Sequence, residues 1–425
     1  MKSKIDFFSK LIFSPTARNT YAVFLGNIIS AFFSFLFTVI LVRGLSLSDF
    51  GYFSALLSLM MLVVELSDTG IGQSLSSFIP PLGNRLQKLN NFLKASFFAQ
   101  VIIALAITVF IIGASSQLSL ILFHTSALAF LINLTAVSIF CSVLANFVNY
   151  SLSARRKFLK VSLLTSFGAL LRLLFLLAIA MTNKVTLENS VVAQTLSIVF
   201  LLLVSLYFIK INFLSSQTDF SDIKKLMRFA YLLGFARMFT GIAYRLDVLM
   251  LVSLKNAHEA GIYSTASRVI SIYPLLSASF LTVIAPKIAT INNKTDLKKY
   301  LSKALFGIIV LVSSIIFMLF FAGPFMLILF GDKALAAVTV FRLLLISMIF
   351  FVLSVPVVSL AVYYLKAPYI LTVNSIIQLL IVVFGNIIFI PQFGRNGPAV
   401  SLILAFSITL ITTTIWTVKL LRKRN

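Results

Sequence analysis

The sequence contains few of the residues on which soluble enzymes and metalloproteins depend. Its 425 residues include one cysteine, two histidines and 11 acidic residues, and charged residues of both signs make up only 11%. Cys141 alone cannot build a disulfide framework, and His124 and His258 lack the spacing of metal ligands. Neither a glycine-rich phosphate loop nor a catalytic-triad motif is found. We therefore predict no enzyme activity, no catalytic residue, no metal site and no bound cofactor.

The sequence has an excess of apolar residues. Hydrophobic residues make up 60% and include 43 phenylalanines, more apolar surface than a soluble chain could cover. They recur in runs of about 20 residues, the length at which a helix crosses ~30 Å of hydrocarbon. They fill every position of a run instead of alternating as in a barrel strand. The sequence thus predicts an all-α polytopic membrane protein with about twelve transmembrane helices. The predicted spans are 20–42, 52–79, 92–113, 119–149, 159–181, 190–210, 229–253, 261–284, 302–322, 336–364, 369–390 and 398–418.

The distribution of basic residues predicts the topology. The formal net charge is +24, which could suggest a nucleic-acid partner. With the N-terminus in the cytoplasm, however, 25 of the 35 basic residues fall in cytoplasmic segments or at the cytoplasmic ends of spans, five in outward segments and five deeper inside spans. This asymmetry obeys the positive-inside rule and predicts cytoplasmic termini and an even number of spans. The loop charges are then expected to contact anionic lipids, not nucleic acid.

One internal repeat divides the chain into halves. The segment Ser48–Ser54 matches His258–Ser264 at an offset of 210 residues, with an acid, a glycine and an aromatic-serine pair in the same register. We predict an N-terminal six-helix bundle at 1–211, a cytoplasmic linker at 212–227 and a C-terminal six-helix bundle at 228–425. Such a duplication places a substrate between the halves. Each glycine is expected to permit a tight turn, and each acid to oppose the positive end of a helix dipole.

Several short motifs resemble one transporter family. They are Leu41–Leu45 with Asp49–Phe53, Asp68–Ile71, and Arg245–Asp247 leading to Gly261–Ser264. Together with the number of spans and the duplication, they resemble the O-antigen and polysaccharide flippases of the Wzx type. These belong to the multidrug/oligosaccharidyl-lipid/polysaccharide exporter superfamily, abbreviated MOP.

The resemblance implies a function. It implies two bundles around a V-shaped central cavity, in the cytoplasmic (inner) membrane of a bacterium. By alternating access, they would move an undecaprenyl-pyrophosphate oligosaccharide, such as an O-antigen repeat unit, to the outer leaflet. A polysaccharide polymerase and a chain-length regulator are the implied protein partners. Two alternatives are a multidrug exporter that exchanges drug for cations and a membrane-bound polysaccharide polymerase or ligase. An excess of basic charge inside the spans disfavours the first, and the absence of a long outward loop disfavours the second.

Charged residues inside the spans are the candidate site residues, because a charge at the bilayer centre usually faces a cavity or a partner. Five arginines lie there against three acids, and this balance suits an anion. A guanidinium can contact pyrophosphate oxygens in a bidentate manner. Arg237 and Arg245 are the first candidates for substrate contacts, with Tyr244 beside Arg237. Arg268 and Arg172 come next. Interhelix salt bridges are the alternative role for these arginines.

The acids inside the spans have two alternative roles. Glu65 and Asp68 are three residues apart, so on a helix they share a face, and mutual repulsion would favour binding of a proton or Na⁺. Otherwise they neutralise Arg172 and another arginine. Asp247 is expected to hold an arginine from another helix, with a proton relay as the alternative. An H⁺ or Na⁺ gradient, or the membrane potential, is the expected energy source. The potential alone favours outward movement of two negative charges by ~4.6 kcal/mol per 100 mV.

Overall fold

The structure is a computed structural model. It describes residues 15–68, 70–82, 85–182, 184–209, 211–215, 241–243, 245–289 and 294–424. All regular structure in these ranges is helical, which confirms the predicted all-α class. The first eight helices are α1 (Pro15–Gly44), α2 (Leu47–Ser67), α3 (Ile71–Leu82), α4 (Leu86–Gly113), α5 (Ser115–Phe123), α6 (Ala129–Ala154), α7 (Phe158–Thr182) and α8 (Leu187–Ile209). The others are α9 (245–254), α10 (Ala257–Ile270), α11 (Ile272–Ala289), α12 (Lys294–Phe320), α13 (Ala322–Phe330), α14 (Val338–Ser359), α15 (Tyr369–Phe393) and α16 (Gly397–Arg424).

The helices are long and apolar enough for a membrane protein. Within the described residues, eight segments satisfy the length and hydropathy of a membrane span. A ninth is added if Leu305–Phe320 and Ala322–Phe330, bent by 78°, form one span. Large apolar side chains stay exposed along these helices, among them Met181 at 87% and Phe320 at 76%. Such surfaces are compatible with lipid as solvent, whereas the count of twelve spans stays a prediction.

Three predicted spans are interrupted, and one of them, 261–284, divides at Ser271 into α10 and α11. The span predicted at 52–79 divides into α2 and α3, which are separated at residues 68–70, where Gly70 has φ +85°. The span predicted at 119–149 divides into α5 and α6, and His124 between them has φ +55°. Apolar composition sets which segments enter the membrane, but local hydrogen bonding sets where a helix ends. Hydropathy therefore could not predict these breaks.

The described chain forms two compact units. Among the described residues, the first comprises those in 15–44, 60–120 and 125–215, and the second comprises those in 45–59, 121–124 and 241–424. In the first unit α1 packs on α7, and α6 packs on both α4 and α8. In the second unit α16 packs on α14 and α15, and α12 and α10 both contact α14. The second helix α2 is divided between the units at residues 59 and 60.

The two copies of the repeat lie at the starts of α2 and α10. Both acids stand in the first turn of their helix, as predicted. The prediction for the glycines is wrong: Gly51 and Gly261 are inside helices, and neither has a positive φ. Each instead lies against the backbone of the other copy. A Cβ atom on Gly51 would lie 1.8 Å from the carbonyl oxygen of Ala257, so these positions need glycine for close helix approach.

Candidate functional site

The predicted site residues are distributed over both units. Arg172, Glu65 and Asp68 belong to the first unit, and Arg245, Asp247 and Arg268 belong to the second. Arg237 and Tyr244 lie outside the described residues. Arg245 and Arg268 are both half-buried, on α9 and at the end of α10. Each unit therefore contains candidate arginines and acids of its own.

Arg172 stands near the middle of α7 and contacts α1. It follows Phe158 by ~21 Å along a helix of ~36 Å, at ~1.5 Å per residue. One terminal nitrogen, Nη2, donates a hydrogen bond to Ser34 Oγ at 2.6 Å. Its guanidinium carbon lies 4.9 Å from the centroid of the Phe37 ring, a cation–π distance. Its Nε is buried without a hydrogen-bond acceptor in the described chain.

Close packing of α1 and α7 holds this arginine in place. A Cβ on Gly26 would lie 1.9 Å from Ser162 Oγ, so the two helices approach through a glycine. Ser166 Oγ donates to the carbonyl oxygen of Gly26 at 3.0 Å, which adds a hydrogen bond between the helices. Small residues at such contacts are how membrane helices come close enough for dispersion and polar interactions. The side chain of Arg172 thus lies between two closely packed helices.

The acid Asp68 is part of a helix break. Its Oδ1 accepts the N–H of Gly72 at 3.0 Å, which satisfies a donor at the start of α3. Gln100 Nε2 donates a hydrogen bond at 3.1 Å to the carbonyl oxygen of Ser67, which has no partner within α2 because Ser67 is the last residue of that helix. A small cavity lies beside the break, lined by ten residues that include Asp68, Gln100 and Tyr150, with room for about one water molecule. Glu65, expected on the same face, is exposed.

Asp247 on α9 is the most buried acid among the described residues, with 6% of its surface exposed. The hydroxyl of Tyr263 donates to its Oδ2 at 2.7 Å. Asn386 Nδ2 donates to its Oδ1 at 3.0 Å from α15. These two groups stand where the sequence predicted an arginine. The Oδ1 of Asn386 is fully buried and accepts no hydrogen bond in the described chain, so this acceptor lies unused next to a carboxylate.

Sequence reasoning did not assign Asn386, Tyr263, Ser34 or Phe37 to a site. Tyr263 was noticed only as part of the repeat. Asn386 could have been identified from the sequence, since an amide in an otherwise apolar span needs a hydrogen-bond partner inside the protein. Ser34 and Phe37 could not have been identified in this way, because serine and phenylalanine are common in membrane helices. No group of three or more metal-ligating side chains occurs in the described part of the chain.

Solved structures share this fold over nearly the whole chain. One is the lipid II flippase MurJ in an inward closed conformation, 16% identical, with a TM-score of 0.77 over 93% of this chain and 87% of that one. A second is a multidrug resistance MATE family transporter of the MOP superfamily in an inward-facing conformation. It is 15% identical, with a TM-score of 0.73 over 93% and 97%. A third is a MOP superfamily transporter from Pyrococcus furiosus, 15% identical, with a TM-score of 0.67 over 96% of each chain.

These structural likenesses show a MOP-superfamily transporter fold. No curated protein matches the sequence significantly. A family of polysaccharide biosynthesis proteins matches residues 16–292, which is more than half of the chain and includes the repeat and the motifs on which the resemblance rested. The chain therefore belongs to the polysaccharide biosynthesis protein family and has the fold of the MOP superfamily.

Proposed function

We propose that this protein is a flippase for an undecaprenyl-pyrophosphate-linked oligosaccharide, which it moves from the cytoplasmic to the outer leaflet of a bacterial inner membrane. The observation that carries this proposal is the state of Arg172. Of its five N–H donors, one is used by the protein, and no carboxylate contacts it in the described chain. A guanidinium inside a membrane without a counter-charge is costly. It fits a site whose anion arrives with the substrate.

The chemistry of the substrate supports the same assignment. A pyrophosphate carries several anionic oxygens, and a planar guanidinium can donate to two of them at once. Arg245 and Arg268 are the corresponding candidates in the second unit, and Arg237 with Tyr244 remain sequence-based candidates. Arg172 is the best supported of the set, because all its described contacts are neutral. An organic cation, the expected cargo of a multidrug exporter, would be repelled there.

Asp247 is the proposed coupling residue. Its two hydrogen bonds come from neutral donors, so no fixed cation neutralises it in the described chain. A buried carboxylate without a cationic partner can take up a proton or Na⁺. The unused Oδ1 of Asn386 supplies a second oxygen of the kind that Na⁺ prefers. Binding of the ion would remove the charge from the interior and stabilise one conformation of the transporter.

The experiment that tests the function is deletion of the gene. We expect loss of surface polysaccharide and accumulation of the lipid-linked repeat unit on the cytoplasmic side. Complementation with the wild-type gene serves as the control. Unchanged polysaccharide together with increased sensitivity to cationic dyes would contradict the proposal and favour the multidrug exporter.

A further inference from the structure

The helices α15 and α16 of the second unit are antiparallel neighbours joined by a short turn at residues 394–396. Asn374 Nδ2 donates a hydrogen bond from α15 to Thr413 Oγ1 on α16. A Cβ atom on Gly385 would lie 2.8 Å from Ser401 Oγ, so the two helices also meet closely at that level. These two contacts fix the register of the pair: residues 374 and 413 face each other, and so do residues 385 and 401.

The contact between these helices is polar towards their cytoplasmic ends in the proposed topology. By the register, Gln378 faces Thr409 one turn further from the cytoplasm than Asn374 and Thr413, and Thr417 follows one turn nearer to it. We call these five residues the polar seam. Gln378 is half-buried and the other four are buried. Amides and hydroxyls with this placement inside membrane helices often line a path for water or ions.

Three polar atoms of the seam are buried without a hydrogen-bond partner in the described chain. They are Thr417 Oγ1, Asn374 Oδ1 and Gln378 Nε2. The hydroxyls of Thr409 and Thr413, in contrast, each donate to a carbonyl oxygen of their own helix. Asn374 Oδ1 can only accept a hydrogen bond and Gln378 Nε2 can only donate one, and the two residues are one helical turn apart. A water molecule between them would satisfy both atoms, so the polar seam fits a row of bound water molecules.

The row leads towards the buried acid Asp247. Asn386 lies two turns beyond Gln378 on α15, about 12 Å along the helix. Its Nδ2 donates to Asp247 Oδ1 at 3.0 Å, and its own Oδ1 is a fourth buried atom without a hydrogen-bond partner in the described chain. A water molecule bound to this oxygen would lie beside the carboxylate. The unpaired atoms of the helix pair therefore continue from the polar seam to the proposed coupling residue.

One apolar turn interrupts this line of polar groups. Val382 stands between Gln378 and Asn386 on α15, and by the register it faces Ala405 on α16. Both Val382 and Ala405 are 0% exposed. A short apolar constriction excludes water and so blocks ions. The apolar turn therefore separates the polar seam from Asp247, which prevents a continuous leak of the ion gradient.

We propose that the polar seam is a proton route between Asp247 and the cytoplasm, with Val382 and Ala405 as its barrier. In the proposed topology, Asn386 lies about 10 Å from the outward end of α15 and about 25 Å from its cytoplasmic end. A proton that binds to the Asp247 carboxylate from the outward side passes to the water beside Asn386, which restores the carboxylate. It then crosses the barrier when water bridges the apolar turn, and follows the seam.

The route assigns the proton, and not Na⁺, as the coupling ion. A proton passes along single water molecules and hydrogen-bonded side chains, as in the proton relays of other membrane proteins, whereas Na⁺ must carry its oxygen ligands with it. The inference rests on the proposed coupling role of Asp247, and its direction rests on the proposed topology.

The test makes the polar line continuous. Val382→Thr replaces a methyl group by a hydroxyl at nearly constant volume. In proteoliposomes without substrate, we expect the proton leak, read from a pH-sensitive dye inside, to rise about fivefold, the factor that one added hydrogen bond supplies. Val148→Thr is the matched control, since Val148 is also 0% exposed but belongs to the first unit. The control should leak like the wild type, and an unchanged leak in Val382→Thr would overturn the route.

Further substitutions in the Val382→Thr protein locate the leak. Asp247→Asn should abolish the added leak, because no carboxylate then takes up the proton. Gln378→Leu and Thr413→Val should each reduce it several-fold by removing polar groups of the seam. Thr135→Val, which removes a buried hydroxyl that donates to its own helix in the first unit, should not reduce it.

Two results would contradict the route even if the leak appears. One is a leak that survives Asp247→Asn, as expected of a misfolded protein, and the other is an equal leak of radioactive Na⁺. The assay contains no cargo, so a gene deletion that leaves surface polysaccharide intact would contradict the proposed substrate and not the route. Conversely, if Asp247→Asn abolishes the response of transport to an ion gradient but Val382→Thr does not leak, the coupling residue stands and the route is wrong.

Discussion

Replacement of Arg172 by methionine separates a substrate-binding role from a structural one. Methionine has a similar length and no charge, so it can occupy much of the same volume between α1 and α7. The variant loses the 2.6 Å hydrogen bond to Ser34 and the contact with the Phe37 ring, which together contribute about 2–4 kcal/mol. It also removes a charge whose insertion at the centre of a membrane helix costs ~2.5–3.5 kcal/mol. The two effects nearly cancel.

We therefore expect Arg172→Met to accumulate in the membrane at close to the wild-type level while transport is lost. An arginine in a fixed salt bridge would behave differently, because its removal leaves a buried carboxylate uncompensated at a cost of ~3–5 kcal/mol and lowers abundance. Arg172→Lys keeps the charge but not the planar fork. A charge-assisted hydrogen bond contributes ~1.5–3 kcal/mol, so the lysine variant should bind substrate roughly 10- to 100-fold more weakly.

The assay compares membrane abundance with the export of lipid-linked oligosaccharide in the same cells. Arg342→Met is the matched control, since Arg342 is exposed at the start of α14 and should tolerate the change. Normal export by Arg172→Met would refute the reasoning directly. A parallel fall of abundance and export would show that Arg172 is structural, and the anion would then have to be bound elsewhere.

Three further predictions test coupling, topology and packing. Asp247→Asn should keep its membrane abundance, because an amide can still form hydrogen bonds with the Tyr263 hydroxyl and the Asn386 amide. Its transport in vesicles should no longer accelerate when an H⁺ or Na⁺ gradient is imposed. A wild-type response to the gradient would exclude Asp247 as the coupling residue. In a cysteine-free background, a cysteine at Lys157 should be protected from an impermeant thiol reagent in intact cells and one at Lys184 should react, and the reverse pattern would invert the topology. Gly26→Val should lower membrane abundance by forcing α1 away from α7, whereas Gly113→Val should not; equal abundance would show that α1 and α7 tolerate separation.

The sequence determined the class of protein, because that depends on properties a helix has by itself. Runs of about 20 apolar residues must lie in lipid, and a backbone in lipid must be helical. The predicted spans 159–181 and 369–390 accordingly coincide with α7 and α15. The repeat at an offset of 210 residues was also visible, since duplication is a property of sequence. These features need no knowledge of which helices are neighbours.

The positions of the helix breaks and the contacts between distant residues could be found only from the tertiary structure. Residues 68–70 are only a short polar interruption in a long apolar run, and only the carboxyl of Asp68 on the Gly72 N–H and Gln100 on the Ser67 carbonyl show why the helix can end there. The glycines of the repeat were visible, but a glycine that turns a chain and one that admits a neighbouring backbone look the same in sequence. Their role depends on the atoms opposite, which for Gly51 belong to a residue more than 200 positions away.

For the charged residues, too, the sequence determined one part and the tertiary structure another. The sequence identified Arg172 and Asp247 as charges inside spans, because their cost in lipid is independent of the fold. It could not identify Ser34, 138 residues from Arg172, or Asn386, 139 residues from Asp247. Electrostatic and hydrogen-bond energies act over a few ångströms, so only the packing of distant helices decided which neutral groups meet these charges.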